Sequence, residues 1–169
     1  MNAAHLEEMD MVTYIGPLMV VEDMARARGF YEDLLGQKVK FDFGENVQFE
    51  GGFSLHLKAH FQALLGGAET FPVCRRAHWG EIYFELDDLE TLFQRLSNAR
   101  VEFIHAIREQ PWGQRVMRFY DPDGHIIEVG ESLQAVVWRF YQQGLPIEQI
   151  SEKSAMPRAF VEQVIRERS

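Results

Sequence analysis

The sequence predicts an α+β fold: two tandem βαβββ modules, followed by a C-terminal helical appendage. Three observations predict it. Short runs rich in β-branched and aromatic residues are punctuated by Gly, Asn and Asp-Pro turns, as strands are. The order strand, helix, three strands occurs twice, and a long internal repeat points to two modules related by pseudo-symmetry. The charge also divides. Residues 131–169 balance Arg139, Lys153, Arg158, Arg166 and Arg168 against Glu131, Glu148, Glu152, Glu162 and Glu167, so the net −9 of the chain belongs to residues 1–130.

The first module spans 11–59. Residues 12–21 (VTYIGPLMVV) read as a strand, with Pro17 marking an edge or bulge. Asp23 is placed to cap a helix whose Met24, Ala27, Phe30, Tyr31 and Leu34 share one face, and Gly36 closes it. Strands follow at 37–43, 46–50 and 53–59. A linker, 60–78, contains Gly66-Gly67 and Pro72. The second module, 79–131, opens with the strand GEIYFELDD. Asp88 caps a helix with the apolar stripe Leu89, Leu92, Phe93 and Leu96, and strands at 101–107, 114–120 and 125–131 complete it. Asp121-Pro122-Asp123-Gly124 is a strong turn. The landmarks match between copies: Val21-Glu22-Asp23-Met24 with Leu86-Asp87-Asp88-Leu89, and Ser54-Leu55-His56-Leu57 with Ile126-Ile127-Glu128-Val129.

Composition excludes several classes. The chain has 169 residues, 46% of them hydrophobic and 25% charged, which suits a folded domain and no disordered or membrane-spanning chain. A net charge of −9 argues against a whole-chain nucleic-acid surface. The single cysteine, Cys74, rules out an internal disulfide and a multi-cysteine metal site. The opening MNAAHLEEMDM lacks the apolar run of a secretory signal, so a cytoplasmic protein with no membrane association is expected. There is no GxGxxG, Walker or GxSxG spacing, and no nucleotide cofactor is expected.

Strand alternation then sorts the side chains. Leu55, Leu57, Ile82, Phe84, Ile127 and Val129 belong to the core. His56, Glu81, Tyr83, Glu128, Arg118 and Tyr120 belong to the open face. His56 and Glu128 are equivalent in the repeat. Glu81 stands seven residues before Asp88, and the residue seven before Asp23 is Gly16. Closing two modules around one cleft gathers these positions.

The run Phe119-Tyr120-Asp121-Pro122-Asp123-Gly124-His125-Ile126-Ile127-Glu128, with Phe30-Tyr31-Glu32-Asp33-Leu34-Leu35-Gly36 after Val21-Glu22-Asp23, resembles the vicinal oxygen chelate superfamily over residues 11–131. That superfamily includes glyoxalase I, extradiol dioxygenases, methylmalonyl-CoA epimerase and the fosfomycin- and bleomycin-resistance proteins. The resemblance implies that the two βαβββ modules curl into an open, cup-shaped sheet, with metal positions at Gly16, His56, Glu81 and Glu128. Glycine supplies no side chain, leaving His56, Glu81 and Glu128 as metal ligands, with Glu81 and Glu128 also catalytic. Such a set suits Zn, Ni, Mn, Fe or Co. A bound divalent metal would polarise a carbonyl while a base moves a proton. Without metal, crowded carboxylates repel, and one of them becomes a hydrogen-bond donor or general base. Arg118 either clamps a substrate anion or neutralises Glu128 across the strands. Tyr120, Tyr83, Tyr14 and Trp112 are the other expected substrate contacts, while Trp79 is read as core and His60 and His78 as surface residues. The resemblance also implies a homodimer.

Residues 132–169 read as three helices, 132–143, then IEQISEKSA, then RAFVEQVIRER. GLPIEQISEKSAMPRAFVEQVI resembles a helix-turn-helix unit, which would put Arg158, Gln163 and Arg166 on DNA. The neutral charge of the tail favours packing against the cup or a dimer interface instead. Three functions remain open: a metal-dependent glyoxalase-like lyase or isomerase acting on a small oxygen-rich metabolite, a metal-free small-molecule-binding protein of the bleomycin-resistance kind, and a ligand-sensing regulator with a DNA-contacting tail.

Overall fold

The computed structural model describes residues 12–69 and 72–168. The expected module start at 11, two linker residues and Ser169 lie outside these. Strands β1 (Leu18–Val21), β2 (Val39–Asp42), β3 (Asn46–Phe49) and β4 (Ser54–Leu57) make one sheet in the order β1-β4-β3-β2. Strands β5 (Glu81–Glu85), β6 (Phe103–Glu109), β7 (Arg115–Tyr120) and β8 (Ile126–Gly130) make another in the order β5-β8-β7-β6. In each, the first strand runs parallel to the last and the remaining pairs are antiparallel. Helices α1 (Met24–Arg28) and α3 (Leu89–Asn98) follow the first strand of each module, and Asp23 and Asp88 accept capping bonds from Arg26 N and Thr91 N. After α1 the coil widens into a π-helical turn, Gly29–Leu34. No helix of the described residues is long and apolar enough to cross a membrane.

Three expectations are corrected. The first strand begins at Leu18, because Gly16 packs against the Gly52 carbonyl and Pro17 has no N–H for a ladder. A side chain at position 16 would have its Cβ 2.0 Å from that oxygen. Lys58–Leu65 is a helix, α2, where strand end and linker were expected; it buries Gln62 and stops at Gly66, whose φ is +106°. The repeat alignment also slips. Glu81 pairs with Ile126, whose counterpart Ser54 pairs with Leu18, so Leu18 and not Gly16 corresponds to Glu81. The second module carries two more residues between this strand and its helix. A slip of two leaves the face of every side chain unchanged, so His56 and Glu128 still hold equivalent register positions.

One aromatic-rich core joins the modules. Phe53 packs edge-on against Phe84 at 5.8 Å between ring centroids, and Phe30 lies 6.2 Å from Phe119. A polar clasp reinforces it. The Asp121 carboxylate accepts from the Tyr31 hydroxyl at 2.9 Å, from the His125 imidazole at 2.8 Å, and from the backbone N–H groups of Asp123 and His125 at 2.9 Å each. Asp123 accepts from Glu22 N and Arg26 Nη2, both at 3.0 Å. The Asp-Pro-Asp-Gly turn therefore ties the last hairpin of the second module to the first helix of the other.

Helices α4 (Leu133–Gln142), α5 (Ile147–Ser154) and α6 (Arg158–Arg168) have their own core of Val136, Val137, Phe140, Ile150, Val161 and Val164. They dock on the β6–β7 hairpin. Phe140 presses on Gly113, where a Cβ would come within 2.2 Å of the ring, and buried Glu131 accepts from Arg115 Nε at 2.6 Å and Arg139 Nη2 at 3.0 Å.

Candidate functional site

Strand register builds a polar row across the open face of the second sheet. Tyr83 faces Glu128, Glu128 faces Arg118, and Arg118 faces His105. The Arg118 guanidinium is the hub. Its Nε donates to Glu81 at 2.8 Å, its Nη2 pairs with Glu128, and its Nη1 lies 3.3 Å from His105 Nε2. Glu128 is buried and Glu81 about one-third exposed. Two carboxylates this close need a cation between them. Arg118 supplies it.

His56 belongs to a different cluster, on the first sheet. Asn46 Nδ2 donates to His56 Nδ1 at 3.4 Å, so the proton of that ring sits on Nε2. Nε2 lies 2.7 Å from His60 Nδ1, and His60 Nε2 is 3.3 Å from Glu45 Oε2. One direction of donation satisfies both hydrogen bonds, Asn46 to His56 to His60, and leaves the far nitrogen of His60 beside the Glu45 carboxylate. Helix α2 delivers His60 to this contact, one turn after His56. Burial, with the charge of His60 beside it, holds His56 below its ordinary 6.5. Both its ring nitrogens are engaged.

The expected ligand set of His56, Glu81 and Glu128 therefore does not converge. Among the described residues no three His, Cys, Asp or Glu side chains group to hold a metal ion. The donors do not fit one: the carboxylates enclose a guanidinium, and the imidazole has no free lone pair.

A cavity of about 600 Å³ opens between the modules. Tyr14, Met19, Phe53, Tyr83 and Phe84 give it an aromatic, apolar wall, and Glu81 and His125 are the carboxylate and imidazole among its lining residues. Of the expected substrate contacts, Tyr14 and Tyr83 line it, and Arg118 reaches it through Glu81. The Tyr83 hydroxyl donates to Glu85 at 2.9 Å and accepts from Gln114 at 2.8 Å. Burial, aided by Glu85, pushes this phenol up to about 12. Trp112 donates to Gln114 at 3.0 Å and so supports Tyr83 from behind. Tyr120 lines another cleft, of about 390 Å³, with Arg76 over its ring, and its hydroxyl lies 2.9 Å from His78. Trp79, expected in the core, is exposed.

Sequence reasoning passed over His125. Its position inside the turn motif reads as scaffold, yet the residue lines both the 600 Å³ cavity and a neighbouring one of about 180 Å³. Burial lowers its proton affinity, but the hydrogen bond and charge of Asp121 outweigh that and raise it above 6.5. Asp121, which burial would raise, is held below 3.8 by the same pairing with His125 and by Tyr31. The signal was present in the spacing: a carboxylate and an imidazole four residues apart around a tight turn.

A family model described as a glyoxalase-like domain matches residues 14–134. The chain belongs to the glyoxalase-like family. A protein of unknown function from Agrobacterium tumefaciens str. C58 is 39% identical, with a TM-score of 0.65, over 73% of this chain and 97% of that one. An uncharacterized protein of Mycobacterium tuberculosis strain H37Rv is 26% identical over 129 residues, 72% of this chain and 76% of its own length. A glyoxalase/bleomycin resistance protein/dioxygenase from Nocardioides shares the fold at 21% identity, with a TM-score of 0.53, over 76% of this chain and 88% of that one. The family match ends at residue 134, just inside α4, so α5 and α6 lie beyond it. Nor is α6 a free basic face: Arg158 pairs with Glu148 at 2.5 Å and Glu162 at 2.6 Å, and Gln163 donates to Glu167 at 2.8 Å.

Proposed function

We propose that this glyoxalase-like chain binds a small aromatic ligand, neutral or cationic, in the cavity between its modules without a metal ion. The observation that carries the reading is Arg118 seated between Glu81 and Glu128. A metal-dependent lyase or isomerase needs those carboxylate lone pairs for its ion, and here a guanidinium uses them. The aromatic wall supports a flat or quaternary-ammonium ligand by stacking and cation–π attraction. The charge of −9 favours cations over anions on approach.

The test uses purified full-length protein. Thermal melts are recorded with millimolar Mn²⁺, Co²⁺, Ni²⁺ or Zn²⁺, and with benzyltrimethylammonium, benzyl alcohol or benzoate, alongside elemental analysis. The expected result is no melting shift beyond about 1 °C with the ions, and stabilisation by the cationic and neutral aromatics exceeding that by benzoate. One equivalent of a divalent ion that survives dialysis and is lost in Glu128→Gln overturns the reading.

A further inference from the structure

We propose that His125 is a catalytic general base on the wall of the inter-module cavity, acting on small carbonyl esters. The inference rests on the cavity being the ligand site and adds chemistry to it. Three observations carry it. First, the ring is oriented: a carboxylate can only accept, so at 2.8 Å His125 Nδ1 must carry the proton it shares with Asp121. In the neutral ring this leaves the lone pair on Nε2. Secondly, the orienting group is fixed. Asp121 has a fully buried side chain and is locked by the Tyr31 hydroxyl and two backbone N–H groups, so the imidazole cannot turn without breaking the clasp. Thirdly, the ring is reachable. Its side chain is about 31% exposed, the residue lines two cavities, and its Nε2 has no hydrogen-bond partner among the described residues. The edge turned away from Asp121 is the one left to the ligand. A base held by a third group, with its free nitrogen beside a pocket, is the arrangement that activates water or a hydroxyl.

The step balances without a co-reactant other than water. Nε2 takes a proton from a water molecule as the water oxygen bonds to the acyl carbon. The acyl–oxygen bond of the ester breaks, and its electron pair leaves on the alcohol oxygen. The imidazolium then returns its proton to solvent. With p-nitrophenyl acetate as the probe, one water is consumed, and acetate, p-nitrophenolate and two protons are released.

The experiment follows p-nitrophenolate release by the full-length protein and by His125→Asn. The asparagine amide occupies the place of Nδ1 and keeps the donor to Asp121, but has nothing at Nε2. Expected are hydrolysis above buffer that benzyltrimethylammonium inhibits, and a loss of about tenfold or more in His125→Asn. Should that variant fail to fold, diethyl pyrocarbonate labelling of the unaltered protein, read by peptide mass spectrometry, decides instead. His125 must be carbethoxylated, and benzyltrimethylammonium must protect it. Hydrolysis unchanged in a folded His125→Asn, or an unlabelled His125, overturns the proposal. If aromatic ligands still stabilise the protein in that case, the binding reading survives alone; if they do not, both fail.

Discussion

His56 and Glu128 occupy the same place in the two sheets, and their surroundings have nothing in common. Each sits on the strand between the parallel and antiparallel neighbours of its module. Across β3, His56 meets Asn46, an amide donor; across β7, Glu128 meets Arg118, a cation. The first face is closed off by α2, whose His60 takes up the second ring nitrogen of His56. The second stays open to the cavity through Glu81. The backbone register is one plan used twice, while the chemistry on it is set by which residues lie one strand away. Matching positions in a repeat thus say where side chains point, not that they will meet.

The largest expected effect tests that contrast at its hub. Arg118→Ala leaves Glu128 buried without a partner and Glu81 beside it. Losing one member of a largely buried ion pair costs on the order of 3–5 kcal/mol. The urea midpoint should fall accordingly. The same variant sharpens the argument about metals, because removing the guanidinium frees two carboxylates. Millimolar Mn²⁺ should recover part of the lost stability in Arg118→Ala and none in the double variant with Glu128→Gln. Equal Mn²⁺ responses in the unaltered protein and Arg118→Ala would falsify the claim that the arginine holds the cation seat.

What the sequence made legible follows from periodicity. Period-two alternation assigned Glu81, Tyr83, Arg118 and Glu128 to one face, and Asp23 and Asp88 announced both helix starts. The Arg118–Glu128 pair was readable as one of two options, since neighbouring strands bring such residues together. Three things were not legible. Helix α2 is short and only weakly amphipathic, so its stretch passes for strand and linker. The separation of His56 from the carboxylates depends on how two sheets pack, which no local pattern encodes. The Tyr31–Asp121 bond spans 90 residues. A motif such as Asp-Pro-Asp-Gly announces its turn but not the distant partner it is built to hold.

The clasp gives an intermediate effect. Tyr31→Phe deletes a hydroxyl bonded to a buried carboxylate and should cost about 2 kcal/mol in chemical denaturation. Its pH signature is separable. His125 titrates above 6.5 when folded, so the native state keeps a proton that the unfolded chain has released. Its stabilisation is whole below pH 6.5 and is lost as pH rises through the raised value. The Asp121 share is present above pH 3.8 and fades as pH falls below it. Melting temperature should therefore decline on the alkaline side of pH 6.5 in the unaltered protein, and His125→Asn should flatten that decline. A decline of the same steepness in the variant would show that other groups cause it.

The smallest effect belongs to the first sheet, and its sign is opposite. His56 titrates below 6.5 when folded, so as pH falls the unfolded chain takes up its proton first. Stability then drops on the acid side of pH 6.5, where the His125 contribution is still intact. His56→Ala removes a side chain joined by one short hydrogen bond to His60, and at pH 8 should cost about 1 kcal/mol. Near pH 5.5 the cost should shrink, because the variant no longer carries a buried imidazole that resists protonation. Denaturation curves at the two pH values measure this directly. A cost that grows toward pH 5.5 would mean that the His56–His60 pair holds a shared proton when folded, and that the two modules respond to acid in the same direction.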